Sequence, residues 1–350
     1  MLAAATRPSS LVTATLVRLG EITNRTLVLP IAVFFPTGRC NSRCESCDWW
    51  TSTGAGELSL EEIGRVADAL ATLGTRLVLF SGGEPLLRGD ILEIADLFRD
   101  RGVLLHLHTS GLQLDRMAAA VGHRFARVIV SLDAADEALY QRIRGVPALP
   151  IVEHGIARLR RTSPEVTVTL RATLHRLNFR ELSRLVDRAK ALAVDGISFL
   201  AADLSATAFS RRDAARVQAL ALAPDEVAEF RDVVEDAIDR HRDDFASGYI
   251  AESPDRLRRL PQYYAALSGR GEFPPVSCNA PSVSVVIEAD GTVRPCFFQP
   301  PIGSVRSTPL VDLVKRNLPA FRRTLDVSSD PICRRCVCSL KTGWRAAPWH

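Results

Sequence analysis

The sequence contains no run approaching the roughly 20 apolar residues that a membrane-spanning helix requires, so no membrane partner is expected. Its opening stretch, MLAAATRPSSLVTATLVRLG, lacks the basic start and unbroken apolar core of a secretion signal, because Arg7, Pro8 and Arg18 interrupt it. Aromatic residues make up only 6%, the net charge is only +4, and arginines fall in scattered pairs such as Arg211-Arg212, Arg258-Arg259 and Arg322-Arg323. No basic stripe interleaved with aromatics results, so nucleic acid is not the default partner. What remains is an ordinary globular composition, 47% hydrophobic and 24% charged over 350 residues, enough for one large or two modest domains. Cysteine, by contrast, is plentiful. Eight cysteines without a secretion signal argue for metal ligation in a reducing cytoplasm, not for disulfides.

The first group lies in IAVFFPTGRCNSRCESCDWW, residues 31–50, where a β-favouring run ends at Phe35 and Pro36 stops it. Cys40, Cys44 and Cys47 follow in the spacing C-x3-C-x2-C. Three thiolates on one short loop can hold three irons of a 4Fe-4S cluster and leave the fourth open to a non-protein ligand. Structural zinc would want four ligands, usually in two separated pairs, and no histidine is near. Downstream, after the strand-like run Arg76-Leu77-Val78-Leu79, comes Phe80-Ser81-Gly82-Gly83-Glu84-Pro85. The glycines let backbone approach a ligand closely, and the carboxylate beyond them can accept from an ammonium group.

Together these stretches resemble the radical S-adenosylmethionine (radical SAM) enzymes. The resemblance implies that Cys40, Cys44 and Cys47 bind a 4Fe-4S cluster whose open iron is chelated by S-adenosylmethionine, and that Gly82, Gly83 and Glu84 hold the cofactor's amino group. It also implies contacts from Ser131 and Asp133 to the ribose and methionyl groups and from Arg144 to the cofactor carboxylate. A helix cap for Asp133 and a surface ion pair for Arg144 are the alternatives. One departure is Ser46, where the family often has an aromatic residue against the adenine; Trp49 or Trp50 can supply that surface or serve as core.

Between residues 26 and 200 the pattern alternates strand and helix. Strands are expected at 26–35, 76–80, 103–108, 125–132, 166–174 and 196–200, and the capping box Ser59-Leu60-Glu61-Glu62 opens a helix that Gly74 closes. Six β/α units in order predict a parallel sheet with crossover helices, and the resemblance implies closure into a partial (β/α)6 TIM-like barrel with ligands at the carboxyl ends of its strands. A long helix is expected from Pro224 to His241, and Tyr263, Tyr264 and Phe273-Pro274-Pro275 read as a linker. The domains expected are an N-terminal extension (1–25), the barrel (26–270) and a C-terminal unit (271–350).

That C-terminal unit begins with Cys278 and a hairpin, Ser282 to Glu288 and Thr292 to Phe298, turned at Asp290-Gly291. Cys296, Cys333, Cys336 and Cys338 complete the second set. The pattern resembles the auxiliary-cluster region called the SPASM domain, and five cysteines suit its shorter "twitch" version. The resemblance then implies one auxiliary 4Fe-4S cluster on Cys278, Cys296, Cys333 and Cys336; a four-cysteine zinc site is the alternative. Cys338 is surplus: a replacement for Cys336, a structural residue, or a thiol that donates a hydrogen atom to a substrate radical.

The expected function is reductive cleavage of S-adenosylmethionine to a 5′-deoxyadenosyl radical, which takes a hydrogen atom from a small polar, sugar-like or antibiotic-pathway metabolite, giving dehydrogenation or epimerisation. A flavodoxin or ferredoxin would deliver the electron. Maturation of a ribosomally made peptide is the second reading, disfavoured because residues 1–25 leave no room for a leader-binding domain. A two-cluster electron carrier is the third, and the Gly82-Gly83-Glu84 stretch speaks against it.

Overall fold

Parallel strands cannot be joined by tight turns, so each must be followed by a crossover that returns the chain to the same end. The computed structural model describes residues 10–205, 208–209 and 214–342. Strands β1 (Ile31–Thr37), β2 (Leu77–Gly82), β3 (Leu104–Thr109), β4 (Arg127–Ser131), β5 (Thr167–Leu174) and β6 (Gly196–Ala201) pair in sequence order, all parallel. Helix α1 (Ser10–Thr23) precedes them, and α2 (Leu60–Thr72), α3 (Ile91–Asp100), α4 (Leu114–Arg124), α5 (Glu137–Arg144), α6 (Leu149–Thr162) and α7 (Leu182–Ala191) supply the crossovers. The expected α/β fold, a partial six-unit barrel followed by a small hairpin-containing unit, is the fold found. Ser59 caps α2 through both bonds of the capping box.

The helix-facing residues of β5, Val168, Leu170, Ala172 and Leu174, are fully buried in the main core, while Thr167, Thr169, Arg171 and Thr173 on the other face are only half-buried. β4 repeats this, with Val128 and Val130 towards the helices and Arg127, Ile129 and Ser131 opposite. A parallel sheet packed on both faces would be apolar throughout. Here the polar alternation marks a concave face that lines a cavity. Towards β1 the same face turns apolar, where Val33 and Phe35 pack with Val286 and Ala289.

The hairpin is β7 (Ser284–Ile287) and β8 (Thr292–Arg294), and β9 (Gly303–Ser304) follows. Gly291, at φ +88°, makes the expected turn. Sequence pattern does not show where β7 goes: it pairs parallel with β1, so one nine-stranded sheet runs from β6 through β1 to β9. Both cysteine sets thereby hang from neighbouring strands.

Two local expectations are corrected. Strand β1 does not stop at Phe35 but continues to Thr37, with a register shift between Phe34 and Thr37. Pro36 has no N–H for the ladder, and a bulge accommodates it. Beyond β6 lie α8 (Ala214–Gln218), α9 (Pro224–Arg240), α10 (Arg242–Ala246) and α11 (Pro254–Leu267). Tyr263 and Tyr264 are not linker residues; they are buried in α11, which continues through Pro261 because it packs against α9 and β6.

Tyr264 joins the ends of two strands: its hydroxyl donates to Leu174 O at 2.6 Å and accepts from Ala202 N at 3.1 Å. Ala202 N also donates to Leu174 O at 3.2 Å, so Tyr264→Phe leaves that bond in place and removes the two made by the hydroxyl; urea unfolding should show a loss of about 1 kcal/mol with an unchanged far-UV spectrum.

Candidate cluster and cofactor site

The first cysteine loop leaves β1 at Thr37 and is pinned on three sides. Glu57 Oε1 accepts from Thr37 Oγ1 (2.5 Å) and Gly38 N (3.0 Å). Arg43 N and Glu45 N donate to the carbonyls of Arg144 and Ile143, and Asp48 N donates to Phe209 O. The third side is the end of β2, where Gly83 N donates to Thr37 O at 3.1 Å and Glu84 N to Arg39 O at 2.8 Å. A Cβ on Gly83 would lie 2.2 Å from Arg39 O; one on Gly82, at φ +108°, would lie 2.9 Å from Thr37 O. The close approach expected between these glycines and a ligand is thus, in the structure, an approach to the root of the cysteine loop.

The thiols share a local geometry. Cys40 accepts from Ser42 N and Cys47 from Trp49 N. In the second set Cys278 accepts from Ala280 N (3.4 Å), Cys296 from Phe298 N, and Cys336 from Cys338 N (3.4 Å). In each, the amide two residues on points at the sulfur, which stabilises thiolate charge. Cys44 accepts instead from Arg144 Nη1 at 3.4 Å and Cys333 from Gln299 Nε2 at 3.4 Å. Burial, reinforced by the neighbouring Cys44, pushes the Cys40 thiol up to about 12 and Cys47 higher still. Burial likewise raises Cys296, Cys336 and Cys338, and Cys333 to about 12. Thiols so placed ionise only when a cationic centre takes up their charge.

Both sets fit clusters better than a single ion. Among the described residues no three thiol, imidazole or carboxylate groups converge on one point, as tetrahedral zinc with sulfur at about 2.3 Å demands. A cluster instead places each thiolate at a different corner, and within each set the thiols are near enough for charge to act between them. Cys338 differs: among the described residues no donor reaches its sulfur, and its own amide serves Cys336.

At the strand ends, Glu84 is buried, and its carboxylate accepts from Thr109 Oγ1 (2.7 Å), Ser110 N (2.6 Å) and Leu86 N (3.1 Å). Burial raises its pKa against these donors. Ser131 Oγ lies 3.2 Å from His108 Nε2. Burial, with Arg171 and Arg144, drives His108 down to about 3, so its ring is neutral at neutral pH. Asp133 and Arg144, expected to serve the cofactor separately, face each other: Nε lies 2.8 Å from Oδ2 in a buried ion pair, and Asp133 Oδ1 also accepts from Thr173 N. The surface ion pair weighed for Arg144 and the helix cap weighed for Asp133 are not what the structure holds. Trp49 stacks edge-on against Phe35 and donates to Ala208 O, and Trp50 donates to Cys47 O with Arg43 over its ring.

A cavity of about 310 Å3 lies between the concave face of the sheet and the second cysteine set, walled by Val33, Leu79, Val286 and Phe297 and lined by Cys278, Cys296, Cys333, Cys336 and Cys338. A second cavity of about 190 Å3 lies beside β6 and α11. Arg171, Cys336 and Cys338 line both. Sequence reading missed Arg171 and His106, although the alternation T-V-T-L-R-A-T-L places Arg171 on the cavity face with the threonines.

Gly83→Ala should cost the Cys40 loop its iron: anaerobically reconstituted protein is expected to fall from about eight irons to about four, with helix content unchanged. Retention of all the iron would show that the loop root tolerates the displaced backbone.

Residues 34–189 match the model of the radical SAM superfamily and residues 278–337 that of an iron-sulfur cluster-binding domain, SPASM. The chain is 30% identical over 246 residues to the PqqA peptide cyclase of Rhodopseudomonas palustris, covering 69% of this chain and 61% of that one. It is 32% identical over 164 residues to the AdoMet-dependent heme synthase of Methanosarcina barkeri, covering 45% and 46%. The chain thus spans less than two thirds of the length of these relatives. Among solved structures, Streptococcus suis SuiB bound to its precursor peptide SuiA superposes with a TM-score of 0.64 at 14% identity, covering 92% of this chain and 74% of SuiB, a likeness of fold. The expected oxidation or epimerisation of a small polar metabolite is overturned by the match to a peptide cyclase over most of the chain. No helix among the described residues is long and apolar enough to cross a membrane. With both family models matched and two thiol sets built for clusters, the chain belongs to the radical SAM superfamily, with a SPASM-type domain, and uses S-adenosylmethionine, its 4Fe-4S cluster and auxiliary iron-sulfur.

Proposed function

We propose that this enzyme modifies a peptide, using S-adenosylmethionine to open a C–H bond of one of its side chains. The observation that carries the reading is the 246-residue match to a peptide cyclase. The cavities support it: a largely apolar one on the concave face, beside the second thiol set, and a second, charged one share Arg171 and Cys338 and suit successive side chains of one chain.

When bound, the cofactor and clusters supply a hydrogen-abstracting 5′-deoxyadenosyl radical and sites for single electrons, delivered by a flavodoxin- or ferredoxin-type donor. The chain's part is to hold and to shield. Cys40, Cys44 and Cys47 hold the first cluster, Arg144 bonding the Cys44 sulfur. Glu84, packed under Thr109 and Ser110, keeps acceptor capacity on Oε2 for the cofactor's ammonium group, with Gly82 and Gly83 setting its height. Asp133 steadies Arg144, whose remaining N–H groups are available to the cofactor carboxylate, and Ser131 is held by neutral His108 for the ribose. The i+2 amides and Gln299 support Cys278, Cys296, Cys333 and Cys336 as the auxiliary ligands. The apolar wall of Val33, Phe297 and their neighbours excludes water from a radical.

Cys338 faces both cavities without a donor on its sulfur, which keeps it as candidate hydrogen-atom donor. Cys338→Ala should then hold wild-type iron yet change turnover; full turnover would remove the role. The peptide reading is tested with the reduced holoenzyme, S-adenosylmethionine and a cell extract, following 5′-deoxyadenosine by chromatography. Stimulation of 5′-deoxyadenosine formation should vanish when the extract is first digested with a protease that is then removed. Stimulation that survives digestion would point to a small molecule and end the reading.

A further inference from the structure

The cavity beside β6 and α11 has an unusual charge. Four arginines line it, Arg171, Arg256, Arg259 and Arg334, against one carboxylate, Glu252. That carboxylate is already engaged by Phe199 N at 2.8 Å, and burial raises its pKa despite Arg171 and Arg256 nearby. Arg259 donates to Pro275 O at 3.2 Å. Arg171 is the inner member: on the concave face of β5, it gives Nε to Ser198 Oγ at 3.1 Å, and among the described residues no carboxylate pairs with it. A guanidinium offers five N–H donors, so most of its fork remains for something else. Arg256 and Arg334 are exposed, whereas Arg171 and Arg259 are partly buried, and a partly buried cation is costly unless an anion completes it.

We propose that this cavity binds a carboxylate of the substrate peptide, with Arg171 as the inner, specificity-determining contact and Arg256, Arg259 and Arg334 as its rim. Because Arg171 also lines the larger cavity, a carboxylate held there fixes which neighbouring part of the peptide lies along the concave face of β1 to β5. Planar two-point pairing with the guanidinium fits a carboxylate well. The carboxylate is either an acidic side chain or the peptide's C-terminus. The proposal rests on the peptide reading, and its test separates the two.

Three fluorescein-labelled decapeptides of alanine and glycine serve as probes: one amidated with a central Glu-Glu, one amidated with Gln-Gln, and one with Gln-Gln and a free C-terminus. Anisotropy on the anaerobic holoenzyme should show the Glu-Glu peptide binding about tenfold or more tighter than the amidated Gln-Gln peptide, as loss of a charge-assisted pair implies. Arg171→Gln should reduce that preference below about threefold, and Arg256→Gln, at an exposed rim position that leaves the fold intact, should weaken it and flatten its salt dependence. Preference for the free C-terminus instead identifies the terminal carboxylate as the group bound. Equal binding of all three peptides, or a preference that survives Arg171→Gln, overturns the proposal. Isothermal titration with glutarate and glutaramide is the companion arm: Arg171-dependent glutarate binding with no binding of any peptide would uphold the carboxylate cavity and overturn the peptide reading.

Discussion

The parallel pairing of β7 with β1 is the contact on which the rest of the structure depends. It brings Cys278 and Cys296, some 240 residues further along the chain than the Cys40 loop, onto strands of the same sheet. Without it the concave face of the barrel would open on solvent, and Val33, Phe35, Val286 and Ala289 would lose one another. With it, the C-terminal segment covers the concave face of the sheet, and the second thiol set lines the chamber between them.

Electrostatics then divides that chamber. The thiols crowd one another, and the chain stabilises their charge mainly by amide N–H groups aimed at sulfur, with Arg144 hydrogen-bonded to Cys44 and acting on Cys40, and Arg171 acting on Cys338. Amide dipoles offset thiolate charge without a competing hydration shell. Arg144 is in turn held by Asp133, and Asp133 by Thr173 N, so the cation beside Cys44 is fixed by the end of β5. The same strand, two residues before Thr173, carries Arg171. One strand thereby helps to place both cations that act on His108.

Features written in a few consecutive residues were legible in the sequence: the cysteine loop, the Ser59 capping box, the Asp290-Gly291 turn and the order of the six strands. Features that depend on distant backbone were not. Gly82 and Gly83 were read as making room for a ligand, yet their immediate neighbour is the backbone of residues 37–39. Tyr263 and Tyr264 were read together with Phe273-Pro274-Pro275 as linker, whereas their stretch is a helix packed on α9. Asp133 and Arg144 were found as separate residues, since nothing in their spacing says that they meet. The small-metabolite expectation was overturned by the match to a peptide cyclase, and the cavity proposed for a carboxylate could not be read from sequence because it is assembled from β5, α11 and the segment after Cys333.

The shape of the space favours an extended substrate on physical grounds as well. A small polar molecule gains little against the wall of Val33, Leu79, Val286 and Phe297, because a polar group placed on that wall must give up water without a partner there. A carboxylate gains much beside Arg171 but cannot occupy the apolar end. A molecule that satisfies both must carry an apolar part and a charged part a few atoms apart on a flexible backbone. Adjacent side chains of a peptide have that form, and burying one while pairing the other holds the reacting residue in place without any contact to the atom that reacts.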